Sequence, residues 1–278
     1  MQFNNIIRGI QQVDPEMTER VSTRRKVMKE FAGIGAKLSL AAMPIFLGSL
    51  LKKAYGQSGP AQGAVMEILN YALTLEYLEA GFYEAAIAKG TALVPAGAPA
   101  MAIKTIGDHE TAHVAFLRTA IMGSGGTPVN KPNFDFTAGG TFPDVFTNYG
   151  TFLAVAQTFE DTGVRAYKGR AAELVNGGDL LTAALNIHSV EARHAAHIRQ
   201  MRKANGFGDV KPWITGKESG IGAVVQASYD GEELTTQAGV NIVNIGGQNI
   251  SAAAASEAFD EGLTKDQVLA IVSPFIAQ

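Results

Sequence analysis

The chain has 278 residues, 46% of them hydrophobic, a formal net charge of −3 and no cysteine. That length supports a substantial core with an appendage. The missing cysteines exclude disulfides, thiolate metal ligands and iron–sulfur clusters, and the absence of a basic excess leaves no electrostatic case for nucleic acid.

The first informative segment is Ser22 to Lys29, where Arg24 and Arg25 stand just ahead of an apolar stretch from Phe31 to Leu51. It resembles a bacterial twin-arginine export signal. Ala54-Tyr55-Gly56 supplies small residues suited to a signal peptidase, so residues 1–56 are expected to be removed, with the mature chain starting near Gln57. The competing reading is a retained membrane anchor, but Lys37 would be costly at the centre of a span. The expectation is delivery by the twin-arginine translocase to the periplasm or extracytoplasmic envelope.

From about Ala61 to Lys89, Val65, Ile68, Leu69, Ala72, Leu75, Leu78 and Phe82 recur at three and four, which predicts an amphipathic helix. A second helix is expected over 100–122, closed by the glycine-rich Gly123 to Gly126. The stretch 123–148, with Pro128, Pro132 and Pro143, reads as a long ordered connection. Helices three and four are expected over 149–175 and 180–204, with Gly177-Gly178 between them. After Asn205 the composition changes. Residues 206–278 read as an extension packed on the bundle, with a short strand or hairpin between Gln237 and Ile245 and a terminal helix capped by Thr264.

These helices carry a repeated pattern. Glu110-x-x-His113 lies on the second and Glu191-x-x-His194 on the fourth, while the first and third carry Glu76 and Glu160. Residues three apart on a helix point the same way, so each pair offers a carboxylate and an imidazole to one point. Glu, Glu-x-x-His, Glu and Glu-x-x-His from four helices form the ligand set of a di-iron or di-manganese carboxylate centre.

The repeat runs further. Tyr83 follows Glu76 by seven residues and Tyr167 follows Glu160 by seven, while Glu110, His113 and Arg118 match Glu191, His194 and Arg199. Seven residues is close to two turns, which returns each tyrosine to the face of its glutamate, where its hydroxyl can bond a ligand carboxylate. Glu79 competes with Glu76 but corresponds to Gly163 in the repeat, so it is assigned outside the ligand set, to a supporting role or the surface. Four carboxylates then balance two divalent cations, with Glu110 and Glu191 as bridges and Glu76 and Glu160 as terminal ligands. Asp108, His109, Asp161, His188 and His197 lie close to the motifs in sequence.

Leu73-Thr74-Leu75-Glu76-Tyr77-Leu78-Glu79-Ala80, Glu110-Thr111-Ala112-His113, Phe159-Glu160-Asp161-Thr162-Gly163 and Glu191-Ala192-Arg193-His194 resemble the ferritin-like superfamily. The likeness is greatest to exported bacterial ferritin-like domain proteins related to plant desiccation-related proteins. It implies an all-α four-helix bundle over 57–205, with a long crossover between helices 2 and 3. It also implies two iron ions, or two manganese ions, and chemistry with Fe(II), dioxygen or peroxide in envelope or oxidative stress protection. The electron donor is external and unidentified. A di-manganese catalase and a non-catalytic stress-protective protein are the alternatives, and the assembly stays open, a homodimer included.

Overall fold

The computed structural model describes residues 62–175 and 177–277, so the segment read as an export signal lies outside the described residues. Four long helices dominate: α1 (Gln62–Lys89), α2 (Ala98–Gly123), α3 (Tyr149–Ala171) and α4 (Asp179–Ala204). Among the described residues, no helix is long and apolar enough to cross a membrane.

Local chemistry sets the helix ends. Pro99 sits in the first turn of α2, where a missing N–H breaks no helical bond, and this lets the helix begin two residues before the expected start. The Asn148 side chain caps α3 by accepting from the Gly150 and Thr151 amides at 2.9 and 3.2 Å. That helix ends at Ala171 and tightens into a 3-10 turn over Ala172–Leu174 before the chain reverses. Gly178, at φ 55°, makes the reversal in a backbone conformation that side chains resist.

The helices form two hairpins, α1 with α2 and α3 with α4, and the connection between the hairpins spans 124–148. Within that connection the Asp135 carboxylate accepts from the Thr137 and Gly139 amides at 2.9 and 3.0 Å, which orders it without a helix. Phe136 and Phe146 from the connection pack on Phe82 of α1. The result is an all-α bundle with a long crossover between its second and third helices.

Two apolar cores fill the bundle. One gathers Leu78, Phe82, Ile103, Ile106, Phe152 and Phe159, and the other Leu69, Leu73, Leu117, Ile121, Leu174 and Ile187. Glu76, Glu110, Glu160 and Glu191, all essentially inaccessible to solvent, come from helix positions between the two sets.

Residues after 205 pack on α3. They include the two-residue strands β1 (Thr236–Gln237) and β2 (Val240–Asn241), paired antiparallel, and the short helices α5 (Ala252–Ser256) and α6 (Lys265–Val272). Thr264 and Gln267 form a reciprocal capping box at the start of α6. The buried Arg165 guanidinium of α3 donates to the carbonyls of Glu261, Ser228 and Asp230 at 2.7 to 2.9 Å and pairs with Glu232 at 2.8 Å. The buried Arg202 of α4 donates to the carbonyls of Phe207 and Gly220 at 2.9 and 2.8 Å. Gly169 permits the closest approach, because a Cβ there would lie 1.9 Å from the Leu263 carbonyl oxygen. Phe134 bridges to Ile276, which ties the crossover to the C-terminal segment.

Candidate metal centre

The six candidate ligands come together. His113 Nδ1 lies 3.1 Å from Glu76 Oε2, 3.0 Å from Glu110 Oε2 and 3.2 Å from Glu191 Oε1. His194 Nδ1 lies 2.8 Å from Glu110 Oε1, 3.2 Å from Glu160 Oε2 and 3.9 Å from Glu191 Oε2. Glu110 and Glu191 therefore each direct one oxygen to each imidazole, while Glu76 and Glu160 each serve one. Two ligand groups result, Glu76-Glu110-His113-Glu191 and Glu110-Glu160-Glu191-His194, with the two carboxylates common to both.

The donor set suits a hard or borderline divalent cation. Glu110 Oε1, Glu160 Oε2, both Glu191 oxygens and His194 Nδ1 are buried without a hydrogen bond of good geometry. Buried polar atoms are normally satisfied, so this concentration marks a place built for something other than protein–protein hydrogen bonding. The residues fit metal binding.

Around the ligands the repeat is crossed. The Tyr83 hydroxyl donates to Glu160 Oε1 at 2.5 Å, and the Tyr167 hydroxyl donates to Glu76 Oε1. Each tyrosine thus supports the glutamate of the other hairpin. Seven residues along a helix span about 10 Å, too far for a hydroxyl to reach its own helix's glutamate. Reciprocal bonding needs α1 and α3 to run in opposite directions. The arginines follow the repeat with altered partners: Arg118 donates to the Tyr77 hydroxyl at 2.5 Å, while Arg199 makes a two-pronged contact with Asp161 at 3.2 and 2.5 Å. Tyr77 and Asp161 each directly follow a terminal glutamate.

The neighbouring polar residues separate into distinct roles. Glu79 is not at the surface: it is buried, its Oε2 has no hydrogen-bond partner, and a Cβ at Gly163 would lie 3.0 Å from its Oε1. The glycine opposite Glu79 in the repeat is what makes room for it. His109 Nδ1 meets His194 Nε2 at 3.0 Å with the rings stacked, so an exposed imidazole supports the outer edge of a ligand. Asp161 also accepts from the Tyr229 hydroxyl at 2.7 Å, linking the C-terminal region to the residue beside Glu160. Asp108 pairs with Lys104 on the surface, His188 bonds the Val164 carbonyl at 3.0 Å, and His197 is exposed.

Burial raises Glu76 to about 7, outweighing its hydrogen bond from His113. Burial, then the charge of Glu110, pushes Glu191 well above the usual carboxylate range; burial, then Glu191, does the same to Glu79. Burial would also raise Glu110, but the imidazoles of His113 and His194 beside it hold it down to about 2. Burial opposes charge on the two histidines, yet carboxylates raise His113 to about 12 and His194 to about 10. Metal ions held here would compete with protons at both imidazoles.

These shifts set the pH dependence of the metal-free protein. Glu76, His113 and His194 are raised, so their contribution is complete below the ordinary values of 4.5 and 6.5 and is lost as pH rises through about 7, 10 and 12. Glu110 is depressed, so its contribution is complete above 4.5 and is lost as pH falls towards about 2. The metal-free protein should therefore melt at a higher temperature at about pH 5.5 than at about pH 9, with the gap narrowing once metal replaces the protons. A chelator-treated sample whose Tm climbs over that interval would contradict this balance.

A family model described as a ferritin-like domain matches residues 64–204, which span all four helices. No curated protein and no solved structure matches the chain.

Proposed function

From the premise that the chain belongs to the ferritin-like domain family, we propose that it is a dinuclear-metal oxidoreductase whose resident ions are iron. It would oxidise Fe(II) or consume peroxide as part of oxidative protection in the cell envelope. One observation carries this reading: Glu110 and Glu191 each divide their two oxygens between the two imidazoles.

Two ions held side by side would share the electrons exchanged with dioxygen or peroxide, which no protein side chain does alone. Glu110 and Glu191 would bridge them, with Glu76 and His113 completing one end and Glu160 and His194 the other. Tyr83 and Tyr167 hold the terminal carboxylates by their second oxygens, fixing how each ligand is presented. The four carboxylates would offset two divalent charges. The apolar cores on either side keep bulk water from the polar layer.

The arginine pair Arg24-Arg25 supports export, which also suits a centre loaded during folding in the cytoplasm. The test is metal analysis of natively expressed protein, followed by Fe(II) and peroxide turnover. Two irons per chain with Fe(II) oxidation is the expected result. Two manganese ions with oxygen release from peroxide would make it a catalase, and no metal with no turnover would sink the enzymatic reading.

A further inference from the structure

A cavity of about 30 Å³ lies among all four helices, and one of its wall residues, Tyr167, also touches a candidate ligand. Its walls include Ala72 and Leu75 of α1, Leu117 of α2, Tyr167 of α3, and Ala184 and Ile187 of α4. These positions are coupled to the centre by helix geometry. Leu75 directly precedes Glu76, Ala72 lies about one turn before it, and Leu117 lies about one turn after His113. Tyr167 does both jobs: its ring forms part of the wall and its hydroxyl donates to Glu76.

The cavity surface is almost entirely carbon. Arg170 also lines it, but its guanidinium is engaged by Glu67 at 2.5 Å and Glu173 at 2.8 Å. That exceeds the roughly 10–15 Å³ that a single water-sized guest requires. Apolar cavities of this kind stay dry and accept apolar gases. Hydrogen peroxide would surrender its hydrogen bonds to water and find few in return, whereas dioxygen has none to surrender. Ala184 of α4 and Phe116 of α2 are half-buried while Ala72, Leu75 and Leu117 are buried, so the α2 and α4 walls are the ones nearer solvent.

We propose that this cavity is a dioxygen site, delivering the oxidant to the centre past Tyr167, and that it makes dioxygen the oxidant admitted through the bundle interior in preference to peroxide. The proposal rests on the redox reading of the centre given above. In the net step two Fe(II) lose one electron each, and dioxygen gains those two electrons and one proton from each of two waters to become hydrogen peroxide, leaving two hydroxides. The polar product is disfavoured in the cavity by the same chemistry.

Two measurements test it. Xenon binding to the metal-free protein, read in crystals under xenon pressure, should place an atom within the walls formed by Ala72, Leu117 and Ala184. Ala184→Phe should abolish that xenon and, in iron-loaded protein, slow Fe(II) oxidation by dioxygen at least tenfold while oxidation by added peroxide stays within twofold. If the phenylalanine disturbs folding, Ala184→Val gives a graded filling with a smaller loss in the same direction. No xenon in the cavity, an unchanged dioxygen rate in the filled variant, or equal losses with both oxidants would overturn the proposal. Wild-type protein that loads two irons and turns over peroxide but binds no xenon would sink the cavity inference alone. Wild-type protein that loads no metal would remove the reading of the centre and this inference with it.

Discussion

Replacing either Glu110 or Glu191, the two glutamates proposed as bridges, should remove metal, while the two replacements should move the stability of the metal-free protein in opposite directions. Glu110 holds both imidazoles through its two oxygens and is kept ionised by them. Glu110→Ala leaves those buried cations short of their common partner, at a cost of about 3–5 kcal/mol. Glu191 is equally buried, but neither of its oxygens makes a hydrogen bond of good geometry, and burial keeps it protonated. Glu191→Leu relieves that burial and should stabilise the metal-free protein by about 1–3 kcal/mol. His113 retains Glu76 and Glu110 in that variant. Calorimetry of the two chelator-treated variants, with metal content measured in parallel, checks both halves. Metal retained in either variant, or stability shifts of the same sign, would show that the bridging roles are misassigned.

Arg165→Ala should be the most damaging change outside the centre. Its guanidinium satisfies three carbonyls and the buried Glu232 at once, joining α3 to segments 228–232 and 261. Without it those acceptors stay buried and unpaired, and the loss should be about 3–5 kcal/mol. At about 0.05–0.15 kcal/mol per residue for a whole domain, that is a large fraction of the total. Limited proteolysis should then cut first within 206–278, with the four helices outlasting the extension. A variant with unchanged Tm and cleavage pattern would show that Arg165 does not secure this region.

The helices were legible because their apolar spacing is long and regular, and the crossover because proline and glycine interrupt it. The clustering of the six candidate residues was legible for a different reason: each Glu-x-x-His is local, and the repeat relates the two copies without any structure. What connects the hairpins was not. Spacing places Tyr83 on the face of Glu76, but which carboxylate its hydroxyl reaches depends on the direction of α3, and it reaches Glu160. The repeat sets Glu79 opposite a glycine and so outside the ligand set, in a supporting role or at the surface; it is buried, and a Cβ at that glycine would lie 3.0 Å from its carboxylate. A glutamate paired with a glycine in an otherwise matching repeat was the available signal. Arg165 and Arg202 were invisible, since their partners are mostly backbone carbonyls of irregular segments that no side-chain pattern announces. His109 was noticed only as a neighbour of Glu110, and its contact with His194 depends on the packing of α2 against α4.

An anomalous-scattering map of iron-loaded crystals should show two iron peaks about 3.5–4 Å apart, bridged by Glu110 and Glu191, with Glu76 and His113 on one and Glu160 and His194 on the other. A single peak, or two peaks that share neither Glu110 nor Glu191, would contradict that arrangement.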